Sequence, residues 1–192
     1  MSEVEEKARK PRADSQRNRD HLLVTAKAAF AESGAEVALE AIARKAGVGI
    51  GTLYRHFPTR ESLMAAVYRR EVDQLAGAVE PLLAAHRPVE ALRAWLYLLV
   101  DYMATKRVIA PLLSVSPGEG QEAYAASGPA IMGAMGRLTT AALESGDVRP
   151  DLSPEDLQRL VFGMTYGYTE PGWSDSARRL IDVMMSGLTA GR

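Results

Sequence analysis

The 192-residue sequence contains no cysteine. Disulfides are therefore excluded, and thiolate metal sites with them. Its three histidines, His21, His56 and His86, stand in no metal-binding spacing such as HExxH. There is no Gly-rich phosphate loop and no GxSxG turn, so the material for catalysis is thin. Neither an enzyme nor a metal or cofactor site is expected. Long apolar runs are lacking too. Nothing approaches the roughly 20 residues that a bilayer-spanning helix needs, and the most apolar stretch, 94–104, is short and contains Asp101. The N-terminus is charged with no apolar segment after it, unlike a secretory signal. These absences predict a cytoplasmic chain with no membrane partner, long enough to hide about 70% of its extended surface in a real core.

The net charge of −1 conceals an asymmetry. Residues 1–70 hold 13 Lys and Arg against 9 Asp and Glu, a balance of +4, and the remainder carries −5. A basic N-terminal part joined to an acidic remainder fits a chain whose first part alone meets a polyanion.

Within the basic part, Leu39, Ile42, Ala43 and Ala46 recur at i, i+3, i+4 and i+7, one face of a short helix. Gly47 supplies a residue that tolerates φ > 0. A second short helix follows over 49–57, with Leu53 and Phe57 facing inward and Thr52, Tyr54, Arg55 and His56 outward. Two helices joined by a tight Gly turn make either an ordinary core hairpin or a helix-turn-helix whose second helix enters a DNA major groove. The outward run of hydrogen-bonding and basic side chains favours the second.

The stretch Ala-Gly-Val-Gly-Ile-Gly-Thr-Leu-Tyr-Arg-His-Phe-Pro-Thr-Arg-Glu-Ser-Leu, from Ala46 to Leu63, is similar to the signature of TetR-family transcriptional regulators. The match runs through about 17–70. Farther on, Trp-Leu-Tyr-Leu-Leu-Val-Asp-Tyr-Met-Ala-Thr-Lys-Arg, over 95–107, resembles the SbtR-like branch more loosely. The resemblance implies a homodimeric regulator of double-stranded DNA that reads a palindromic operator, most often a repressor released by a small-molecule effector. An activator of the same fold is the alternative; a helical-bundle enzyme or carrier with an incidental hairpin is a remote one. It places Ile50, Gly51, Thr52, Tyr54 and Arg55 nearest the bases, with His56 and Arg60 toward phosphates. Arg55 has the geometry to pair bidentately with guanine. One departure from the family pattern is that Val37 and Ala38 stand where Ser or Thr usually caps the second helix, so a cap worth roughly 1 kcal/mol is absent.

The rest of the chain reads as all-α, with about nine helices and no β-period segment. Residues 1–14 are expected to form a flexible basic arm, 15–62 a three-helix DNA-binding domain, and 63–192 an effector-binding and dimerisation domain linked through a long helix over 60–80. The expected helices there cover 89–106, 108–114, 121–145 with a break at Ser127-Gly128-Pro129, 154–169 and 174–188. Trp95, Leu98, Tyr102, Met103, Leu113, Ile131, Met135, Phe162 and Tyr166, with Met164 and Trp173, supply aromatic and thioether surface. Such surface serves as core or as pocket; the resemblance implies an effector pocket. The last two helices present Leu157, Leu160, Val161 and Met164, and Leu180, Val183, Met184 and Leu188. These pack within one subunit or, as the resemblance implies, across a four-helix dimer interface. Asp101 needs solvent, an internal partner such as Arg137 or Lys106, or a place in the cavity.

Overall fold

The computed structural model describes residues 3–115, 118–149, 151, 153–165, 167 and 170–189. Among them the chain is helical throughout: α1 Glu3–Ser33, α2 Leu39–Lys45, α3 Ile50–His56, α4 Arg60–Gly77, α5 Val79–Ala85, α6 Pro88–Leu113, α7 Glu119–Glu144, α8 Pro154–Thr165 and α9 Trp173–Thr189. The count equals the expectation, but the divisions differ.

The first three helices close around one apolar cluster, which takes in the expected inward residues of α2 and α3. Leu22, Leu23, Ala26, Ala29 and Phe30 of α1 are buried with Leu39, Ile42 and Ala43 of α2 and Leu53 and Phe57 from α3 and its end. Helix α1 begins far earlier than Ser15, so the expected flexible arm is a correction: apart from Met1 and Ser2, which lie outside the described residues, it continues the helix. Its Glu, Lys, Ala and Arg residues are strong helix formers, and adding turns to an existing helix avoids the cost of nucleation.

Helix α4 leaves this unit and packs against α7, α6 and α1. Thr59 caps it through a reciprocal box with Ser62: the Ser62 N–H donates to Thr59 Oγ1 at 3.0 Å and the Thr59 N–H to Ser62 Oγ at 3.1 Å. The helix ends at Gly77, short of Glu80, because Pro81 has no N–H to give the Gly77 carbonyl. In the first turn of α5 that missing donor costs nothing.

Two other prolines fail to interrupt. Helix α6 runs through Pro111 to Leu113, absorbing the separate segment expected over 108–114. A mid-helix proline costs about 3 kcal/mol, whereas burying Ile109 and Leu113 contributes about 1.5–3 kcal/mol each. Helix α7 likewise passes through Ser127-Gly128-Pro129 unbroken. Pro129 is exposed, while Ala123, Ala134, Met135 and Leu138 bury the opposite side. Of the expected turn 147–152 and helix 154–169, Pro150, Leu152, Tyr166, Tyr168 and Thr169 lie outside the described residues, as do Ser116 and Pro117. Trp95, the largest fully buried side chain, ties α6 to α4 by donating from Nε1 to the Leu75 carbonyl at 2.8 Å.

Candidate nucleic-acid interface and ligand cavity

The turn between α2 and α3 is built by hydrogen bonds that require Gly47. Its φ is +67°, its N–H donates to the Arg44 carbonyl at 3.1 Å, and the Val48 N–H donates to the Ala43 carbonyl at 3.0 Å. This pair of bonds is a Schellman closure, which places the residue after the C-cap in the left-handed region. Neither Ala38 nor Gly49 caps its helix with a side chain, as their chemistry predicts. Buried Leu53 and Phe57 orient α3, leaving Gly51, Tyr54 and Arg55 exposed and Ile50, Thr52 and His56 half-buried on the outer side. Arg19 of α1 lies over the Phe57 ring, 5.3 Å from its centroid, and secures the far end.

Arg60 has partners within the chain that residue type does not announce. Its Nη1 donates to the Ala35 carbonyl at 2.7 Å and to the Val37 carbonyl at 2.8 Å. It clamps the α1–α2 loop onto the start of α4 through Nη1. Val37-Ala38 offers no side-chain acceptor there, and the guanidinium satisfies the loop carbonyls.

In the second half of the chain α6, α7 and α8 enclose a cavity of about 250 Å³. Helix α6 contributes Leu99, Tyr102, Met103 and Lys106; α7 contributes Ser127, Gly128, Ile131, Met132 and Met135; α8 contributes Val161, Phe162 and Thr165. One wall carries a directed chain of hydroxyls. Ser127 Oγ donates to the Tyr124 carbonyl at 2.7 Å, Tyr68 Oη donates to Ser127 Oγ at 3.1 Å, and Tyr102 Oη lies 2.6 Å from Tyr68 Oη. With the first two protons so placed, Tyr102 donates to Tyr68. Burial, and next the bond with Tyr68, hold the Tyr102 phenol far above its ordinary value, so it stays neutral. Lys106 Nζ stands over the Tyr124 ring, 5.8 Å from its centroid. Burial pushes this ammonium below the ordinary lysine value.

Residues 87–190 match the family described as "Transcriptional regulator SbtR-like, C-terminal domain", and residues 22–67 match "Bacterial regulatory proteins, tetR family". The chain belongs to the TetR family. The crystal structure of a TetR transcriptional regulator from Streptomyces coelicolor is 40% identical, covers 89% of this chain and 98% of its own, and superposes with a TM-score of 0.77. A TetR transcription regulatory protein from Mycobacterium vanbaalenii is 32% identical, with 93% and 99% covered and a TM-score of 0.75. An HTH-type transcriptional regulator of Staphylococcus aureus is 36% identical over 84 residues, which is 42% of this chain and 44% of that protein. The chain thus matches less than half the length of such curated relatives.

In this TetR-family chain the expected pocket residues divide. Tyr102, Met103, Ile131, Met135 and Phe162 line the cavity. Trp95 and Leu113 do not: both are fully buried, Trp95 against α4 and Leu113 beneath Gly120, where a Cβ would meet Leu113 Cδ2 at 3.0 Å. Leu98 faces outward. Tyr166 lies outside the described residues. Trp173 donates from Nε1 to the Met164 carbonyl at 3.0 Å, joining α9 to α8.

Leu99, Lys106, Ser127, Gly128, Met132 and Thr165 were not anticipated in the cavity, and Val161 was expected at the dimer interface. Leu99, Tyr102, Met103 and Lys106 follow i, i+3, i+4 and i+7 along α6, a signal legible in the sequence. Ser127 and Gly128 fall at the expected break in α7.

The expected dimer residues divide as well. Leu160, Val183 and Leu180 are 46%, 69% and 47% exposed. Met164 and Met184 are half-buried, while Leu157, Val161 and Leu188 are buried within the subunit, Val161 against the cavity. Asp101 is exposed and pairs with Arg178 of α9 at 2.5 Å, so it takes neither Arg137 nor Lys106 as its partner and does not line the cavity. Among the described residues no helix is long and apolar enough to cross a membrane.

Proposed function

We propose that this TetR-family regulator acts in the cytoplasm as a homodimeric repressor of a palindromic operator, released when a small molecule enters the α6–α7–α8 cavity. The observation that carries this reading is the position of α4. One end is clamped to the helix-turn-helix through Arg60, and Tyr68 in its middle is bonded to the cavity-lining Tyr102. A ligand that displaces Tyr102 has direct purchase on the helix that bears the reading head. Because the family's regulators bind DNA, a change in α4 alters whether two heads match half-sites about 34 Å apart or a small multiple of it.

On DNA, Arg55 reads guanine, Thr52 and Tyr54 contact adjacent bases or phosphates, and Ile50 meets a thymine methyl. Gly49 and Gly51 weaken α3 by about 1 kcal/mol each but leave open space beside the backbone, which permits close approach to the groove. The dimer forms through the outward faces of α8 and α9. Leu160, Leu180, Val183 and Phe162 expose apolar surface there, uncovered among the described residues.

The test is a gel shift with DNA from upstream of the protein's own reading frame, with and without candidate effectors, alongside transcript levels in a deletion strain. Repression requires specific binding, release by ligand and a raised transcript on deletion. A lowered transcript would make the protein an activator.

A further inference from the structure

The cavity of this protein is built for one sign of charge. Three hydroxyl groups line it, and each gives its proton to the protein. Tyr102 donates to Tyr68, Ser127 to the Tyr124 carbonyl, and Thr165 to the Phe162 carbonyl at 2.8 Å. What remains as a strong donor is the ammonium of Lys106, held over the Tyr124 ring. Among the described residues no acid lines the cavity, and the nearest acid on the same helix, Asp101, is committed to Arg178 outside it. The perturbation of Lys106 has desolvation as its cause, with no carboxylate opposing it. The rest of the lining is aliphatic, thioether and aromatic: Leu99, Met103, Ile131, Met135 and Phe162.

We infer that the effector is a compact apolar monoanion whose carboxylate pairs with Lys106 while its hydrocarbon body fills the space between α6, α7 and α8. This rests on the reading of that cavity as the effector site and specifies its ligand class. A half-buried cation without a counter-ion is a cost that a bound anion removes, and the hydrogen bond to it is charge-assisted. A single ammonium, unsupported by arginine, suits one negative charge rather than a phosphate dianion. A cationic ligand would meet like charge with no acid to receive it. A neutral alcohol would leave the ammonium unpaired. Linear and aromatic acids share the required chemistry and differ only in how the body fits the apolar walls.

The experiment is calorimetric titration and thermal shift of the full-length dimer with decanoate and 4-phenylbutyrate. Each is set against the alcohol and the amine of the same skeleton. At least one of the two acids is expected to bind saturably and about tenfold or more tighter than its alcohol, with the amine weaker still. In Lys106→Met the preference for acid over alcohol should vanish while alcohol binding is kept, and Lys106→Arg should retain it. If only one of the two acids binds, its skeleton identifies the body as linear or aromatic.

Equal affinity for acid and alcohol in the native protein overturns the proposal, as does an acid preference that survives Lys106→Met. Failure of all six probes to bind overturns it too. Ile131→Trp, which fills the cavity, separates this from the underlying reading. If alcohols bind natively and are lost in Ile131→Trp, the cavity is a ligand site but not an acid site. If binding persists in Ile131→Trp, the cavity itself is the wrong place.

Discussion

Tyr68 and Tyr102 meet through their phenol oxygens at 2.6 Å, with ring centroids 5.9 Å apart. Both are buried, one on α4 and the other on α6, so this contact joins the helix leaving the DNA-reading unit to the cavity wall. A double-mutant cycle with Tyr68→Phe and Tyr102→Phe measures it. Urea unfolding should give a coupling of about 0.5–1.5 kcal/mol. If the two substitutions are additive, the bond is not a link, and ligand-driven motion of α4 needs another route.

Arg60→Ala should act on stability before it acts on DNA. It leaves the Ala35 and Val37 carbonyls without the guanidinium that now holds them. The expected loss is about 1–3 kcal/mol in denaturant unfolding. In refolded protein the salt slope of DNA binding should change by much less than one counterion. An unchanged stability with a flattened slope would return Arg60 to phosphate contact.

Leu160→Glu together with Val183→Glu should yield folded monomer. Both sites are exposed in the subunit, so the charges are tolerated there, but burying them unpaired in a four-helix interface costs several kcal/mol. Sedimentation reads the mass and circular dichroism the fold. A variant that stays dimeric and binds operator would place the interface elsewhere.

Acid binding to the cavity should weaken as pH rises. Burial lowers Lys106 below the usual lysine value of 10.5. Tyr124 of α7 faces it, Tyr102 on its own helix stays neutral, and α8 contributes only uncharged side chains to this space. The anion binds the ammonium form and raises its pKa, so affinity falls as pH climbs through the free Lys106 pKa, which lies below 10.5. In that window binding takes up a fraction of a proton, seen by calorimetry in buffers of different ionisation enthalpy. Proton release there would mean another group is responsible.

The DNA-reading unit was legible because its signals are local. Periodicity placed Leu39, Ile42, Leu53 and Phe57 in the core, and a left-handed turn needed Gly47. The bonds of Arg60 to the Ala35 and Val37 carbonyls were not legible, because such partners are set by chain packing and leave no trace in residue type. The cavity was half legible. Aromatic and thioether residues mark apolar surface but not which side of a helix is core: α4 packs over both Trp95 and Tyr102, and only Tyr102, bonded to Tyr68, also borders the cavity. Pro129 concealed the continuity of α7, since packing on α4 and α6 outweighs the bond a proline removes. Lys106 escaped notice because a lone lysine is normally solvated, and only the absence of a nearby acid makes it informative.

The central claim is that two copies of α3 read two related half-sites. Selection from a random duplex pool by the purified full-length protein, at a stated salt concentration, tests it most directly. The account predicts a two-fold-symmetric consensus with half-site centres one helical turn or a small multiple apart. The Arg55→Ala protein should lose preference at one position per half-site, at about 1–3 kcal/mol each. A pool that shows no enrichment, or a consensus without two-fold symmetry that Arg55→Ala leaves unchanged, would contradict it.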